Sequence, residues 1–373
     1  MSLKSTFFAS MLVAVSFSVS AAVPEYINEK ANHIADNGAD WSALRSKVAS
    51  TLAGDTADIR VLHIGDSHIQ AEFVTNHLRS LLQKRYGNAG RGLIAPLRLA
   101  GTNQPNDYTV TAAGGGTWTQ TRLLKCPWPN RPGFTGIAAR PSKPTTVVWR
   151  ALSPGHNIAR ATLFSSAGSK LVTPIVPSDS LVQKVAAGES IYGAVLENGR
   201  KGLLYSAIGN NGACFNDYLL IDGFPKATAL FDADLIVLSM GTNEGFSTMT
   251  DAQIARSVDD LVNGIRHYNP QAAMLILLPM ECQKNRNHGY RPLSEYYDVN
   301  KRVAEAKDVI AALAKALGVP VWDFYTVAGG EGASARWLED KLMNRDRIHL
   351  VKAGYELMGD LLYDALVEAL EAK

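Results

Sequence analysis

Four short runs in this 373-residue chain hold the residue types that acyl-transfer chemistry needs. Gly65-Asp66-Ser67-His68 offers a hydroxyl. Asp346-Arg347-Ile348-His349 offers an imidazole with a carboxylate three residues before it. Gly209-Asn210-Asn211-Gly212 and Gly241-Thr242-Asn243-Glu244 offer glycines beside side-chain amides. A serine hydroxyl is a poor nucleophile at neutral pH and needs a base within hydrogen-bond reach. His349 can take the Ser67 proton through one ring nitrogen, while Asp346 holds the other nitrogen and stabilises the imidazolium. A spacing of three lets both side chains turn toward the same face of a loop or helical turn.

Each run is weak alone. By residue usage, a Gly-Asp-Ser tripeptide occurs by chance in roughly one chain of this length in ten. Ser67 by itself reads as the N-cap of a following helix. Asn-rich turns are common because Asn tolerates left-handed backbone angles, and Asp-x-x-His is more often a surface ion pair. Their joint occurrence, in this order and at the ends of predicted strands, lifts them above that background.

The elements that must position these runs follow from hydrophobic period. Asp58 to Ile64 is a β-rich apolar run ending at Gly65, and Ala71 to Tyr86 returns to helical period with Phe73, Leu78, Leu81 and Leu82 on one face. Further apolar strands are predicted at Leu203–Ile208, Leu235–Met240, Met274–Leu278 and Val319–Phe324. Helices are predicted at Tyr26–Leu52, Asp251–His267, Val299–Leu317 and Ala353–Glu371. Apolar strands alternating with helices indicate a parallel sheet covered on both faces, whose ligands collect at the carboxyl ends of the strands.

The stretch from about Arg98 to Lys201 departs from this pattern. It is rich in Gly, Thr, Pro and Val and holds short alternating runs at Thr145–Trp149, Arg160–Phe164 and Ile191–Val195. Such runs, separated by turn residues, predict an antiparallel sandwich inserted after the first strand-helix unit. The expected organisation is residues 23–97 and 202–373 as one discontinuous α/β domain, with 98–201 as the β-rich insertion. Trp118, Trp128 and Trp149 of the insertion are candidates for stacking on sugar rings, with core packing the commoner use of such a residue.

Composition sets the outer bounds. The formal charge is +2, which gives no basic field for nucleic acid. Lys4, the apolar run Phe7–Val19 and Ser20-Ala21-Ala22 read as a secretory leader over residues 1–22, cleaved after Ala21 or Ala22. The apolar stretch is short for a membrane span, and no stable span is expected once the leader is removed. Cys126, Cys214 and Cys282 are an odd count at irregular spacing. That spacing offers no metal knuckle, and no disulfide is assigned from it.

Taken together, the four runs resemble the SGNH/GDSL hydrolase superfamily. Ser67, Gly212, Asn243 and His349 match its four blocks, and Asp346 stands three residues before the histidine. The runs around Ser67, Gly212 and Asn243, together with His349-Leu350-Val351-Lys352-Ala353-Gly354-Tyr355, are similar to those of periplasmic peptidoglycan O-acetylesterases of Gram-negative bacteria. The resemblance implies a flavodoxin-like three-layer α/β sheet with an inserted β-sandwich similar to a carbohydrate-binding module. It implies Ser67, Asp346 and His349 as catalytic residues and the Ser67 N–H, the Gly212 N–H and the Asn243 amide as the oxyanion hole. It also implies removal of O-acetyl groups from peptidoglycan in the periplasm, through an acetyl-serine. No cofactor or metal is expected. The expected partner is an O-acetylated glycan, and the protein is expected to be a monomer. Related proteins carry cysteines in the loops near Cys282 and Gly330, whereas Gly329-Gly330-Glu331-Gly332 has none.

Several neighbours of these residues receive bland readings. Asp66 is expected to satisfy loop N–H groups. His63, His68 and His77 are given no role, and Asn210, Asn211 and Glu244 are candidate pocket residues. Gly-Asp-x-His also resembles a metallophosphoesterase motif, but the earlier Asp-x-His and later Asn-His that such a site needs are missing from suitable places. The remaining alternatives are transfer of the acetyl group to a sugar hydroxyl, action on another acetylated polysaccharide, and a non-catalytic cell-wall binding role.

Overall fold

The computed structural model describes residues 23–54, 58–126, 132–153, 155–285 and 297–372. The expected leader at 1–22 and Trp128 lie outside them. Five parallel strands form the central sheet: Ile59–Gly65, Leu203–Gly209, Leu235–Ser239, Ala273–Leu278 and Val321–Asp323. Numbered along the chain, their spatial order is 2-1-3-4-5, the flavodoxin-like order. The order reverses between Ile59–Gly65 and Leu235–Ser239, which makes the carboxyl ends of those two strands the place where a ligand crevice opens.

Residue alternation builds a layer on each face of this sheet. Val61, Tyr205, Val237 and Leu275 point into one apolar core, shared with Leu44, Leu78, Leu82, Leu362 and Leu366 from the helices Ser42–Leu52, Phe73–Tyr86 and Lys352–Glu371. Leu62, Ile64, Ile236, Leu238 and Ile276 point the other way, against Ile254, Val258, Leu261 and Ile310 from Asp251–Tyr268 and Lys301–Ala316. The period of two in the strands thus meets the period of 3.6 in the helices on both sides. Among the described residues no helix is long and apolar enough to cross a membrane.

Two predicted helices are corrected. Tyr26–Leu52 is helical only over Ser42–Leu52. Asn37 and Gly38 take positive φ in a turn closed by Ala39 N–H on Asp36 O, and Ile34–Ala35 adds an antiparallel edge strand to Val321–Asp323. The helix expected from Ala71 begins at Phe73, because Glu72 adopts φ 53° and separates it from a short helix, Ser67–Gln70.

Between Gly92 and Glu197 the chain forms two antiparallel sheets. One orders Ser180–Val185, Thr145–Ala151 and Tyr108–Ala112. The other orders Trp118–Arg122, Ile137–Pro141, Ile191–Glu197, Arg160–Ser165 and Gly168–Val172, with Gly92–Ile94 also bonded to Ile191–Glu197. Val110, Val147 and Trp149 of the first sheet share one apolar core with Ile137, Leu163 and Ala194 of the second. Trp149 is fully buried there, with its indole N–H donated to Gln183 Oε1 at 2.9 Å. It is a core residue and unavailable for stacking on a sugar.

Candidate active site

The nucleophile candidate stands where the first strand of the parallel sheet ends. Gly65 closes Ile59–Gly65, and a Cβ there would lie 2.6 Å from Ser239 O of the neighbouring strand. Only glycine allows that approach. Asp66 then caps the short helix Ser67–Gln70, its Oδ1 accepting from His68 N–H at 2.9 Å. Gly209 faces this helix from the adjacent strand, and a Cβ on it would lie 2.1 Å from Gln70 N. Two glycines thereby let the serine's helix sit directly against the strand ends.

The structure brings Ser67, His349 and Asp346 into one chain of contacts across 282 residues of sequence. His349 Nδ1–H donates to Asp346 Oδ2 at 2.8 Å, which leaves Nε2 as an acceptor 2.8 Å from Ser67 Oγ. Asp346 Oδ1 accepts from the backbone N–H groups of Ile348 and His349, each at 3.0 Å. Partial burial pushes the Asp346 carboxyl up, but the His349 ring and these two N–H groups outweigh it and hold the group down at about 2. The same contact with Asp346 raises His349 above its ordinary value against the opposing effect of burial.

Arg347, between them, takes φ 59°. Its guanidinium donates to Gln283 Oε1 at 2.7 Å and lies 4.2 Å from the Tyr297 ring centroid, and its carbonyl accepts from Gln283 N–H. These contacts hold the left-handed residue that sets the Asp-x-x-His loop.

The expected oxyanion residues are linked through Asn243, whose amide bonds to Asp66 beside Ser67 and to Ala213 beside Gly212. Gly212 has φ 83°. Among the described residues no protein acceptor takes the backbone N–H of Ser67 or of Gly212. The Asn243 amide is engaged on both hydrogens, at 3.2 Å to Asp66 Oδ2 and 3.0 Å to Ala213 O. Asp66 is 1 % exposed. Its burial pushes its carboxyl up to about 7, against the pull of the His68 N–H and the His349 charge.

The other candidates divide. Asn210 is buried, with its amide donating to Thr135 O and Tyr218 OH. Asn211 N–H donates to Gln70 Oε1. Both border a cleft beside Gly212. Glu244 is fully buried; its Oε1 accepts from Phe215 N–H at 2.8 Å, and burial lifts the carboxyl to about 7. His63 pairs with the Tyr205 hydroxyl inside the core, and His77 pairs with Asp360 on the surface. His68 is closer to the chemistry than sequence suggests. Its ring centroid is 5.1 Å from that of His349 and its Nδ1 is 2.9 Å from Tyr355 OH. Burial holds it down at about 3, so it stays neutral beside the base.

Sequence reasoning missed two supports. Glu72, Arg79, Arg91 and Asp107 form a buried cluster of two anions and two cations, with ion pairs at 2.6–3.3 Å. It ties the segment just after Ser67–Gln70 to the entry of the antiparallel sheets. Glu281, 1 % exposed, accepts from Gly332 N–H, Ser334 N–H and Ser334 Oγ. It joins the loops at Cys282 and Gly330 where no cysteine pair exists. Cys214 and Cys282 are buried thiols. Among the described residues, no group of three or more His, Cys, Asp or Glu could hold a metal ion.

The GDSL-like lipase/acylhydrolase family matches residues 179–357. That span includes Gly212, Asn243, Asp346 and His349 and stops short of Ser67, which lies on the far side of the antiparallel sheets. No curated protein matches the chain. Among solved structures, a peptidoglycan O-acetylesterase is 25 % identical and covers 91 % of this chain and 99 % of its own, with a TM-score of 0.71. An acetyl xylan esterase, 16 % identical, covers 44 % of this chain and 81 % of its own at a TM-score of 0.35. A lipase/acylhydrolase from Enterococcus faecalis, 18 % identical, covers 45 % and 77 % at 0.34. The chain is a carboxylic ester hydrolase carrying a GDSL-like lipase/acylhydrolase domain.

Proposed function

We propose that this protein is a periplasmic serine esterase that removes O-acetyl groups, at C6 of muramic acid, from peptidoglycan. The observation that carries the substrate reading is the extent of the likeness to the peptidoglycan O-acetylesterase. It covers 91 % of this chain, too much to leave out the antiparallel sheets. Those sheets read as an inserted β-sandwich of the carbohydrate-binding kind, placed to hold the glycan at the crevice.

In the proposed reaction Ser67 Oγ attacks the acetyl carbonyl carbon while His349 Nε2 takes its proton. Asp346 stabilises the imidazolium and holds the ring. The developing oxyanion is met by the Ser67 and Gly212 N–H groups and by one Asn243 amide hydrogen, freed from its 3.2 Å bond to Asp66. The tetrahedral intermediate collapses, the C–O bond to the sugar breaks, and His349 returns the proton to the leaving alkoxide. Water, deprotonated by His349, then attacks the acetyl-serine, and acetate leaves as Ser67 recovers its proton.

Acetate release from O-acetylated peptidoglycan and from acetylated xylan, with Ser67→Ala as control, tests this reading. Release faster from xylan would overturn the substrate. Undiminished hydrolysis of activated acetyl esters by Ser67→Ala would overturn the mechanism. Acetyl transfer to an added glycan acceptor, in place of acetate release, would make the enzyme a transferase.

A further inference from the structure

The cleft beside Gly212 is built from both parts of the chain. One side is Gln70, Asn210 and Asn211; the other is the turn from Arg122 to Lys125 that closes the strand Trp118–Arg122. It encloses about 100 Å³. The turn is firmly seated. Lys125 N–H donates to Arg122 O at 2.9 Å, and Leu123 is buried in the core on one face of the parallel sheet. Leu124 leans over Gly212, its Cδ1 3.1 Å from where a Cβ would be.

The floor is neutral, and Gln70 and Asn211 are held by hydrogen bonds within it. Gln70, 4 % exposed and three residues after Ser67, donates to Thr102 Oγ1 at 2.9 Å and Asn103 Oδ1 at 2.7 Å and accepts from Asn211 N–H. Asn211 Nδ2 donates to the same Asn103 oxygen. The wall supplies the charge. Arg122 and Lys125 both line the cleft, and among the described residues neither has a carboxylate partner. The buried cations Arg79 and Arg91, by contrast, are paired with carboxylates. Two uncompensated cations on a fixed turn, over a neutral floor and next to the acyl site, suit a carboxylate, which an arginine can grip through two N–H groups.

We propose that this cleft is the subsite for a carboxylate of the substrate, so that the enzyme selects acetylated glycans bearing an anionic group near the ester. The inference rests on the O-acetylesterase reading and deepens it. In peptidoglycan the carboxylate belongs to the stem peptide or, where the peptide has been removed, to the lactyl ether of muramic acid.

The test compares kcat/KM for acetate release from three forms of one glycan: intact O-acetylated peptidoglycan, strands stripped of peptide by an amidase, and stripped strands whose carboxylates have been amidated. Wild type is expected to favour a carboxylate-bearing form over the amidated one by about tenfold, with the preference shrinking in 0.5 M salt. The preferred anionic form identifies the source of the carboxylate. In Arg122→Gln/Lys125→Gln the ratio is expected to fall to near one, and in Arg122→Glu/Lys125→Glu to invert. Equal rates for the amidated and anionic forms in wild type, or an unchanged ratio in the variants, would overturn the subsite. If the variants do not fold, the wild-type ratio and its salt dependence decide. Failure of the substrate reading looks different. It would give no acetate from any peptidoglycan form, but a charge preference dependent on Arg122 and Lys125 among other acetylated glycans, such as uronate polymers.

Discussion

Asn243 and Asp66 are hydrogen-bonded across the point where the sheet order reverses, Nδ2 to Oδ2 at 3.2 Å. Each follows a different strand of the parallel sheet. Asn243 is the expected side-chain donor to the oxyanion, so the carboxylate that holds it in the resting state governs where that donor points. Replacing Asn243 with Ala is expected to lower kcat about 100- to 1000-fold. Asp66→Ala is expected to lower kcat about 10- to 100-fold, because the Asn243 amide loses the partner that orients it. The double variant should be no slower than Asn243→Ala alone, since both changes act through one amide. Strictly additive losses, measured on an activated acetyl ester, would show that Asp66 acts separately.

The contact between Asp346 and His349 fixes the pH profile. His349 must be neutral to accept the Ser67 proton, and Asp346 raises its proton affinity. Wild-type kcat/KM is therefore expected to climb with pH on an acid limb above the ordinary histidine value of about 6.5. Asp346→Asn is expected to cut kcat about 10⁴-fold and to move that limb to lower pH. Residual activity against p-nitrophenyl acetate from pH 5 to 9 measures both; an acid limb that stays in place would separate Asp346 from the base.

Glu244 gives a stability effect with a definite sign. Its folded carboxyl is raised by burial to about 7, whereas an unfolded glutamate loses its proton near about 4.3. Between those values the folded state holds a proton that the unfolded state has released, so the stability this group contributes falls as pH rises through the window. Glu244→Gln lacks the titration and can keep the acceptor for Phe215 N–H. Its melting temperature, relative to wild type, is expected to improve steadily from pH 5 to pH 8. A difference that does not change with pH would mean Glu244 is charged in the fold.

Gly209 is a steric requirement of the site. A Cβ there would lie 2.1 Å from the backbone nitrogen of Gln70, and backbone cannot swing away as a side-chain tip can. Gly209→Ala is expected to cost about 3 kcal/mol in denaturant unfolding. It should also lower kcat, because relief of the clash displaces the helix carrying Ser67. A variant with wild-type stability and rate would show that this helix is free to shift.

The candidate triad residues were legible because each sits in a local pattern. An apolar strand ending in glycine, followed by a serine and a helix, can be read from ten residues, and so can Asp-x-x-His before an amphipathic helix. The parallel strands were legible for the same reason: residues such as Leu62 and Ile64 declare a buried face through their own chemistry. The boundaries at Asn37-Gly38 and Glu72 were not, because there a turn or a buried ion pair overrides the hydrophobic period.

By itself, then, the sequence determined the alternation of strands and helices and singled out Ser67, Asp346 and His349 as candidates. Only the tertiary structure decided that Asp66 tethers Asn243, that Glu244 is sealed in the core, and that His68 lies against His349 as a neutral ring. The same holds for Arg122 and Lys125, which line the cleft beside Gly212 from another sheet. Apolar burial follows from a residue's own type and spacing, so it leaves a periodic trace. The orientation or exposure of a polar group depends on which distant partner reaches it, and no local spacing records that partner.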